Sequence, residues 1–299
     1  MTIILDGNKL SQEIRSEIQL NLANFQLAKT NPPKLSVILV GEDPASSVYV
    51  RNKERACTSA GILTETFNIP ADVSEEYVIN QIQELNQNIQ VNGILVQLPL
   101  PPHINETTVI SAISPSKDVD GIHPYNLGKL AQGEPIFVPC TPLGIQQILV
   151  RHNISIPGKH VVVCGRSNIV GKPIANLLMQ RGPDANATVT VCHSQTRNLQ
   201  LLTSNADILI AAIGQPNFIT EDMVKEDVSI IDVGINRIPD SSKKNGYRLV
   251  GDVDFINVEK KAHAITPVPG GVGPMTITML LNNTVKSWII QNNLSGDVA

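Results

Sequence analysis

Three observations predict a two-domain α/β fold with a cleft between the domains. Short β-rich runs alternate with amphipathic helical stretches along the chain. The 299 residues amount to about twice a usual domain. A Pro/Gly-rich stretch from Gly133 to Pro142 separates two β-α series and reads as a hinge. Apolar residues at 42% and charged residues at 17% are globular values, which exclude a disordered or fibrous chain. The net charge is −4 and no dense Lys/Arg run occurs, so no nucleic-acid partner is expected. No apolar run reaches the ~18–20 residues of a membrane helix, so no membrane association is expected. The N-terminus lacks a secretory h-region and Arg-rich transit character, and a cytoplasmic protein is expected. Four scattered cysteines, Cys57, Cys140, Cys164 and Cys192, form no C-x-x-C pair, so neither a disulfide framework nor a metal site is expected.

The elements follow in order. A first helix starts near Lys9, carries Leu10, Ile14, Ile18, Leu22 and Phe25 on one stripe, and stops before Asn31-Pro32-Pro33. Leu35–Val40 is a buried strand ending at Gly41, and 45–60 a helix closed by Gly61. Leu63–Asn68 is a strand, and Ser74 caps a helix to about Asn88. Gly93–Gln97 is a strand stopped by prolines, and a helix from Asn105 ends near Pro115, before the loop SPSKDVDGIHP. After the hinge, 143–152 is helical. The second series has strands His160–Cys164, Thr188–Cys192, Ile208–Ala212 and Ser229–Val233, with helices near 173–181, 198–204 and 220–226. DSSKKNG (240–246) reads as an exposed loop, and the prolines and glycines of 265–274 exclude regular structure there. A last helix covers about Met275–Asn292.

The chemistry begins at HVVVCGRSNIVGKP (160–173), a strand, a glycine turn and a helix with Pro173 in its first turn. That context suits a dinucleotide, whose pyrophosphate faces backbone N–H groups and the helix dipole. Gly165 and Gly171 are present, but Ser167 stands where the middle glycine of the usual motif would be. The next strand ends in Cys192-His193-Ser194 without the acid that accepts a ribose 2′-OH bond in NAD sites. Arg166 and Ser194 offer a cation and a hydroxyl instead, which favours NADP. Read singly, Arg166 has the alternative of a solvated loop arginine, and His193 and Ser194 simply end a strand.

In the first domain Tyr49 and Lys53 stand at i, i+4 on one helix face. Gln97 ends a buried strand, and Asp118 and Asp120 follow in a glycine-bearing loop. Ligands of open α/β sheets gather beyond the carboxyl ends of the strands, which is where Gln97 and the KDVDG loop belong. A lysine desolvated in such a cleft loses proton affinity and shuttles protons near neutrality. The bland alternatives are a solvated helix edge for Tyr49 and Lys53 and a turn-capping pair for the two aspartates. Residue chemistry reaches an NADP-dependent enzyme with a Lys/Asp site, without its substrate.

SSVYVRNKERACTSAGI, GILVQLPLP, PSKDVDGIHPYNLGKL, PCTPLGI, VVVCGRSNIVGKPIANLL, ADILIAAIGQP, IIDVGIN, VGDVDF and ITPVPGGVGPMT follow one another from about residue 5 to about 285. In that order they resemble the blocks of the bifunctional methylenetetrahydrofolate dehydrogenase/methenyltetrahydrofolate cyclohydrolase family. The resemblance implies NADP-dependent oxidation of methylenetetrahydrofolate to the methenyl cation, then hydrolysis to formyltetrahydrofolate at the same site. It implies Lys53, Tyr49, Gln97 and Asp120 as catalytic and folate-binding residues, with Pro269, Gly270 and Gly271 lining the folate site. It implies Gly165, Arg166, Ser167, Gly171, His193, Ser194 and Ile235 on the cofactor. A folate-binding catalytic domain of 1–139, joined by the C-terminal helix 272–299, and a Rossmann-like NADP-binding domain of 140–271 are implied, as is a homodimer. A different two-domain NADP oxidoreductase and a non-catalytic folate or nucleotide binder are the competing readings.

Overall fold

The computed structural model of the chain describes residues 2–26, 31–243 and 246–294. It opens with β1 (Ile3–Ile4), α1 (Gly7–Gln26), β2 (Lys34–Val40), α2 (Pro44–Ser59) and β3 (Leu63–Ile69). Then come α3 (Glu75–Gln87), β4 (Gly93–Val96), α4 (Glu106–Ser111), α5 (Pro124–Gln132) and α6 (Cys140–Arg151). The chain continues through β5 (His160–Cys164), α7 (Gly171–Leu178), β6 (Thr188–Cys192), α8 (Leu199–Thr203), β7 (Ile208–Ala211) and β8 (Val228–Asp232). It ends with β9 (Asn236–Pro239), β10 (Tyr247–Val250), α9 (Phe255–Val258), β11 (Ala262–Ile265) and α10 (Val272–Gln291).

Two compact units result. One holds Gln12–Cys140 and the chain from Ile277, the other the chain up to Ser11 and Thr141–Thr276. In the first, β2 lies between β3 and β4 in a parallel sheet. Every residue of β2 after Lys34 is buried, as expected of an apolar run covered on both faces. Helix α3 starts where Ser74 Oγ accepts the Tyr77 N–H at 3.2 Å, and it buries Val78, Ile82 and Leu85 at helical spacing. Its far end is closed by Lys117, whose ammonium donates to the carbonyls of Leu85, Asn86 and Asn88 at 2.7–3.0 Å. Trp288 of α10 meets Phe25 edge to face at 5.8 Å and donates to Asn31 O.

In the second unit six parallel strands run in the order β1-β11-β8-β7-β5-β6. From β5 the chain goes to β6 on one side and then to β7 on the other. The order therefore reverses at β5, and a crevice opens beyond the carboxyl ends of β5 and β7. The first residues, expected with the folate-binding domain, join this sheet because β1 pairs with β11.

Several elements escape the sequence pattern. Residues 124–132, which begin at the last residue of the SPSKDVDGIHP loop and end just before the hinge, received no element from the sequence; they form α5, with Pro124 at its start, the His123 ring accepting the Tyr125 N–H, and Gly133 closing it at φ 84°. Helix α10 begins at Val272 instead of Met275, because Pro274 lies in a first turn that needs no donor from it. The helix expected over 220–226 is one 3₁₀ turn, Glu221–Met223. Around the 240–246 loop the chain forms the antiparallel hairpin β9–β10; residues 244 and 245 lie outside the described residues, as do 27–30 and 295–299.

Candidate active site

Helix α2 enters after Gly41 with Asp43 as its cap, a carboxylate oxygen accepting the Ser46 N–H at 2.7 Å. Its repeat stacks Tyr49, Lys53 and Cys57 along one face. The Lys53 side chain is 5% exposed, its Nζ lies 4.6 Å from the Tyr49 ring centroid, and it donates to Gln97 Oε1 at 3.0 Å. Gln97 follows β4 and donates its own amide N–H to Leu98 O at 2.6 Å, which fixes its oxygen toward the lysine. Burial pulls the Lys53 ammonium below the usual lysine range, and the charge of Asp120 opposes that pull only in part. Lys53 and Gln97, which sequence reasoning brought to one rim, are thus neighbours, with Tyr49 one turn before the lysine.

The two aspartates of the KDVDG loop divide their work. Asp118 is fully buried and accepts the N–H groups of Ile122 and His123 and the Asn126 amide at 2.7–3.3 Å. It closes the turn into α5, the capping role that sequence reading held open. Asp120 is half-buried, with a carboxylate close enough to act on Lys53. Gly121 between loop and chain sits at φ 75°, where a Cβ would lie 2.7 Å from Pro139 N and Val138 C.

Sequence reasoning missed Cys140. Its thiol is buried, donates to Val119 O at 3.3 Å, and lies against both Asp120 and Lys53. Burial pushes Cys140 well above the usual thiol range and Cys57 up to about 12, so both pack as neutral thiols beside the amine. No spacing rule joins residues 53, 120 and 140, which is why the pattern gave no signal.

In the six-stranded unit a cavity of about 680 Å³ opens at the reversal point of the sheet. It is lined by the turn Cys164–Ser167 after β5, by Cys192–Ser194 and Thr196 after β6, and by Ala212, Ile213 and Gln215 after β7. Gly165 stands at φ 132°, where a Cβ would overlap the Ala212 carbonyl, and a Cβ on Gly171 would overlap the Gly165 carbonyl. The two glycines let turn, strand and helix touch; Gly171 is buried behind the cavity wall. Ser167 Oγ accepts the Val170 N–H at 3.1 Å and so tightens the entry to α7. Arg166 and Ser194 are exposed, and neither side chain has a hydrogen bond or ion pair within the described residues. His193 takes the Gln195 N–H on Nδ1 at 3.2 Å.

No carboxylate lines this cavity. A free guanidinium and two hydroxyls beside a glycine turn form a donor set that fits the 2′-phosphate and pyrophosphate of NADP. Ile235 is 60% exposed after β8. Pro269 is exposed, and Gly270 and Gly271 are braced by the start of α1: Asn8 N–H donates to Gly270 O at 3.1 Å, and a Cβ on Gly7 would overlap Gly271 O.

Two family models match the chain: the tetrahydrofolate dehydrogenase/cyclohydrolase catalytic domain over residues 5–120 and the corresponding NAD(P)-binding domain over 139–292. Among its relatives is the bifunctional protein FolD of Chlorobium phaeobacteroides, 56% identical over 97% of this chain and 99% of that one. The crystal structure of the bifunctional enzyme FolD, methylenetetrahydrofolate dehydrogenase/cyclohydrolase, from Campylobacter jejuni is 46% identical. It superposes with a TM-score of 0.91 over 98% of this chain and 99% of that one. The Trypanosoma brucei dehydrogenase-cyclohydrolase, complexed with NADP cofactor and inhibitor, is 39% identical with a TM-score of 0.90 over 96% and 97%.

Proposed function

The chain belongs to the tetrahydrofolate dehydrogenase/cyclohydrolase family, and from that premise we propose how its residues carry the two reactions. The protein is a bifunctional enzyme of folate one-carbon metabolism. It oxidises methylenetetrahydrofolate to methenyltetrahydrofolate with NADP⁺ and hydrolyses the product to formyltetrahydrofolate. The observation that carries the residue assignment is the buried Lys53 amine, held at 3.0 Å by Gln97 and faced by Asp120.

Bound NADP⁺ supplies the hydride acceptor, so the protein's share of the first step is positioning. Asp120 accepts from the N–H groups of the pterin ring, and Tyr49 offers its ring as a wall beside the amine. In the second step water adds to the methenyl carbon while neutral Lys53 takes the proton. The same proton then goes to the ring nitrogen that leaves as the five-membered ring opens. The cation and water become formyltetrahydrofolate and one released proton, so atoms and charge balance. Gln97 orients the amine through both stages.

We assign folate to the unit containing Lys53; Pro269, Gly270 and Gly271, which the resemblance assigns to folate, belong to the other unit. NADP is assigned to the glycine turn, to Arg166, Ser167, His193 and Ser194, and to Ile235. The domain reading stays 1–139 with 272–299 for folate and 140–271 for NADP, amended by the pairing of β1 in the six-stranded sheet. No described helix is long and apolar enough to cross a membrane. A cytoplasmic homodimer completes the reading; sedimentation velocity of the purified protein tests the dimer, and a single monomer-sized species overturns it.

One experiment tests the whole. Purified protein is given methylenetetrahydrofolate with NADP⁺ or NAD⁺, and methenyltetrahydrofolate absorbance is followed as it rises and decays. Faster turnover with NADP⁺ and decay above the buffer rate are expected; no coenzyme reduction with either nucleotide overturns the reading.

A further inference from the structure

Two carboxylates of the six-stranded unit, Asp232 and Asp252, are 3% and 0% exposed and have no ion-pair partner among the described residues. Buried charge without a cation is costly unless hydrogen bonds replace the lost water. Here they do. Asp252 accepts the N–H groups of Ile213, Gly214 and Gln215 at 2.6–3.0 Å and the Asn236 amide at 2.9 Å. Asp232 accepts the N–H groups of Gly234, Asp252 and Val253, each at 2.9 Å.

The pair is interlocked. Asp232 holds the backbone that carries Asp252, and the Asp232 N–H itself rests on Thr266 Oγ1 at 2.8 Å. Two glycines make room: a Cβ on Gly234 would overlap Asp252 Oδ1, and one on Gly251 would overlap Asp232 Oδ2. One side chain thereby takes three successive amide donors of the segment after β7. Such a run of N–H groups is the concave arrangement that binds anions, and here an internal anion fills it. Ile213 and Gln215, two of the three residues so held, line the 680 Å³ cavity.

We infer that Asp252 is a positioning residue for the dinucleotide: its carboxylate fixes the 213–215 wall of the cavity, and Asp232 locks Asp252 in place. Neither touches the ligand or the folate chemistry. The inference rests on the reading of that cavity as the NADP site. An amide at position 252 keeps the volume but presents one acceptor oxygen where the loop needs two.

The test is Asp252→Asn, read by NADPH fluorescence titration and by steady-state kinetics of both reactions. The NADPH Kd and the KM for NADP⁺ should each rise at least tenfold, with the KM for methylenetetrahydrofolate unchanged. The ratio of dehydrogenase to cyclohydrolase rate at subsaturating NADP⁺ should fall by the same factor. A Kd within twofold of the parent overturns the inference. So does an equal loss of both reactions in a protein with the parent's circular dichroism, since that marks a general structural role. If Asp252→Asn does not fold, Asn236→Ala removes only the fourth donor; a rise of about threefold in Kd supports the inference, and no change overturns it. A parent protein that fails to bind NADPH at all defeats the underlying cofactor reading instead, so the two failures are distinguishable.

Discussion

Lys53 and Arg166 are the cations of the two candidate sites, and their surroundings are opposite. Lys53 is 5% exposed, stacked over a tyrosine ring and bonded to a glutamine oxygen. Arg166 is exposed at the mouth of a cavity without carboxylates and has no intramolecular partner within the described residues. A group that must lose a proton gains from losing water, because desolvation disfavours its charged form. A group that must stay charged and meet a phosphate keeps its hydration until the ligand arrives. The same division separates Asp118, buried as a turn closure, from Asp120, left half-open beside the amine.

The strongest way to break this contrast is Lys53→Met. Methionine fills the volume without a proton to move, so hydrolysis of methenyltetrahydrofolate should fall about 10²–10⁴-fold. Normal hydrolysis in the variant removes lysine from the mechanism. Stability should move the other way. A lysine whose pKa is lowered on folding burdens the native state below its folded pKa, and the burden lifts as pH rises from there toward 10.5. The variant should therefore melt about 2–4 °C higher at neutral pH, with the gain shrinking in alkaline buffer. In the parent, the hydrolysis rate should climb with pH and level off below the ordinary lysine pKa of 10.5.

Arg166→Ala examines the exposed half. The KM for NADP⁺ should rise roughly 10-fold to 100-fold, as for loss of a charge-assisted phosphate contact, and the KM for NAD⁺ should stay near its parent value. The parent's preference for NADP⁺ should weaken as salt is added, because an exposed pair is screened. An equal rise for both nucleotides excludes 2′-phosphate recognition.

Legibility followed the same line between local and non-local. Lys53 over Tyr49 is a one-turn relation, and Gln97 at a strand end is a positional one, so both are visible in the sequence. The parallel strands announced themselves by unbroken apolar runs such as VVV at 161–163. Hidden were features that depend on distant partners: β1 is two residues long and exists through β11, and Cys140 meets Asp120 from 20 positions further along the chain. Asp232 and Asp252 received no role from the sequence, and only the backbone groups around them reveal why both are buried. Helix α5 was obscured by Pro124 and Gly133, which signal a loop until they are seen as its first and last positions.

The smallest expected effect lies at Ser167, which stands where the usual motif has a glycine. Its Oγ accepts the Val170 N–H at 3.1 Å, so the hydroxyl already has a local task at the entry to α7. Accepting leaves its own proton free, and it lines the cavity beside Arg166. On the proposed assignment, one hydroxyl serves both the helix start and the cofactor. Ser167→Ala should cost about 1 kcal/mol of stability, as for loss of a capping hydroxyl, and lower the melting point by about 2–4 °C. The KM for NADP⁺ should rise about threefold, roughly 0.7 kcal/mol, the low end for a hydrogen bond from a hydroxyl already shared with the helix start. A melting shift with an unchanged KM would leave Ser167 as a cap alone and make Arg166 and Ser194 the whole of the 2′-phosphate contact.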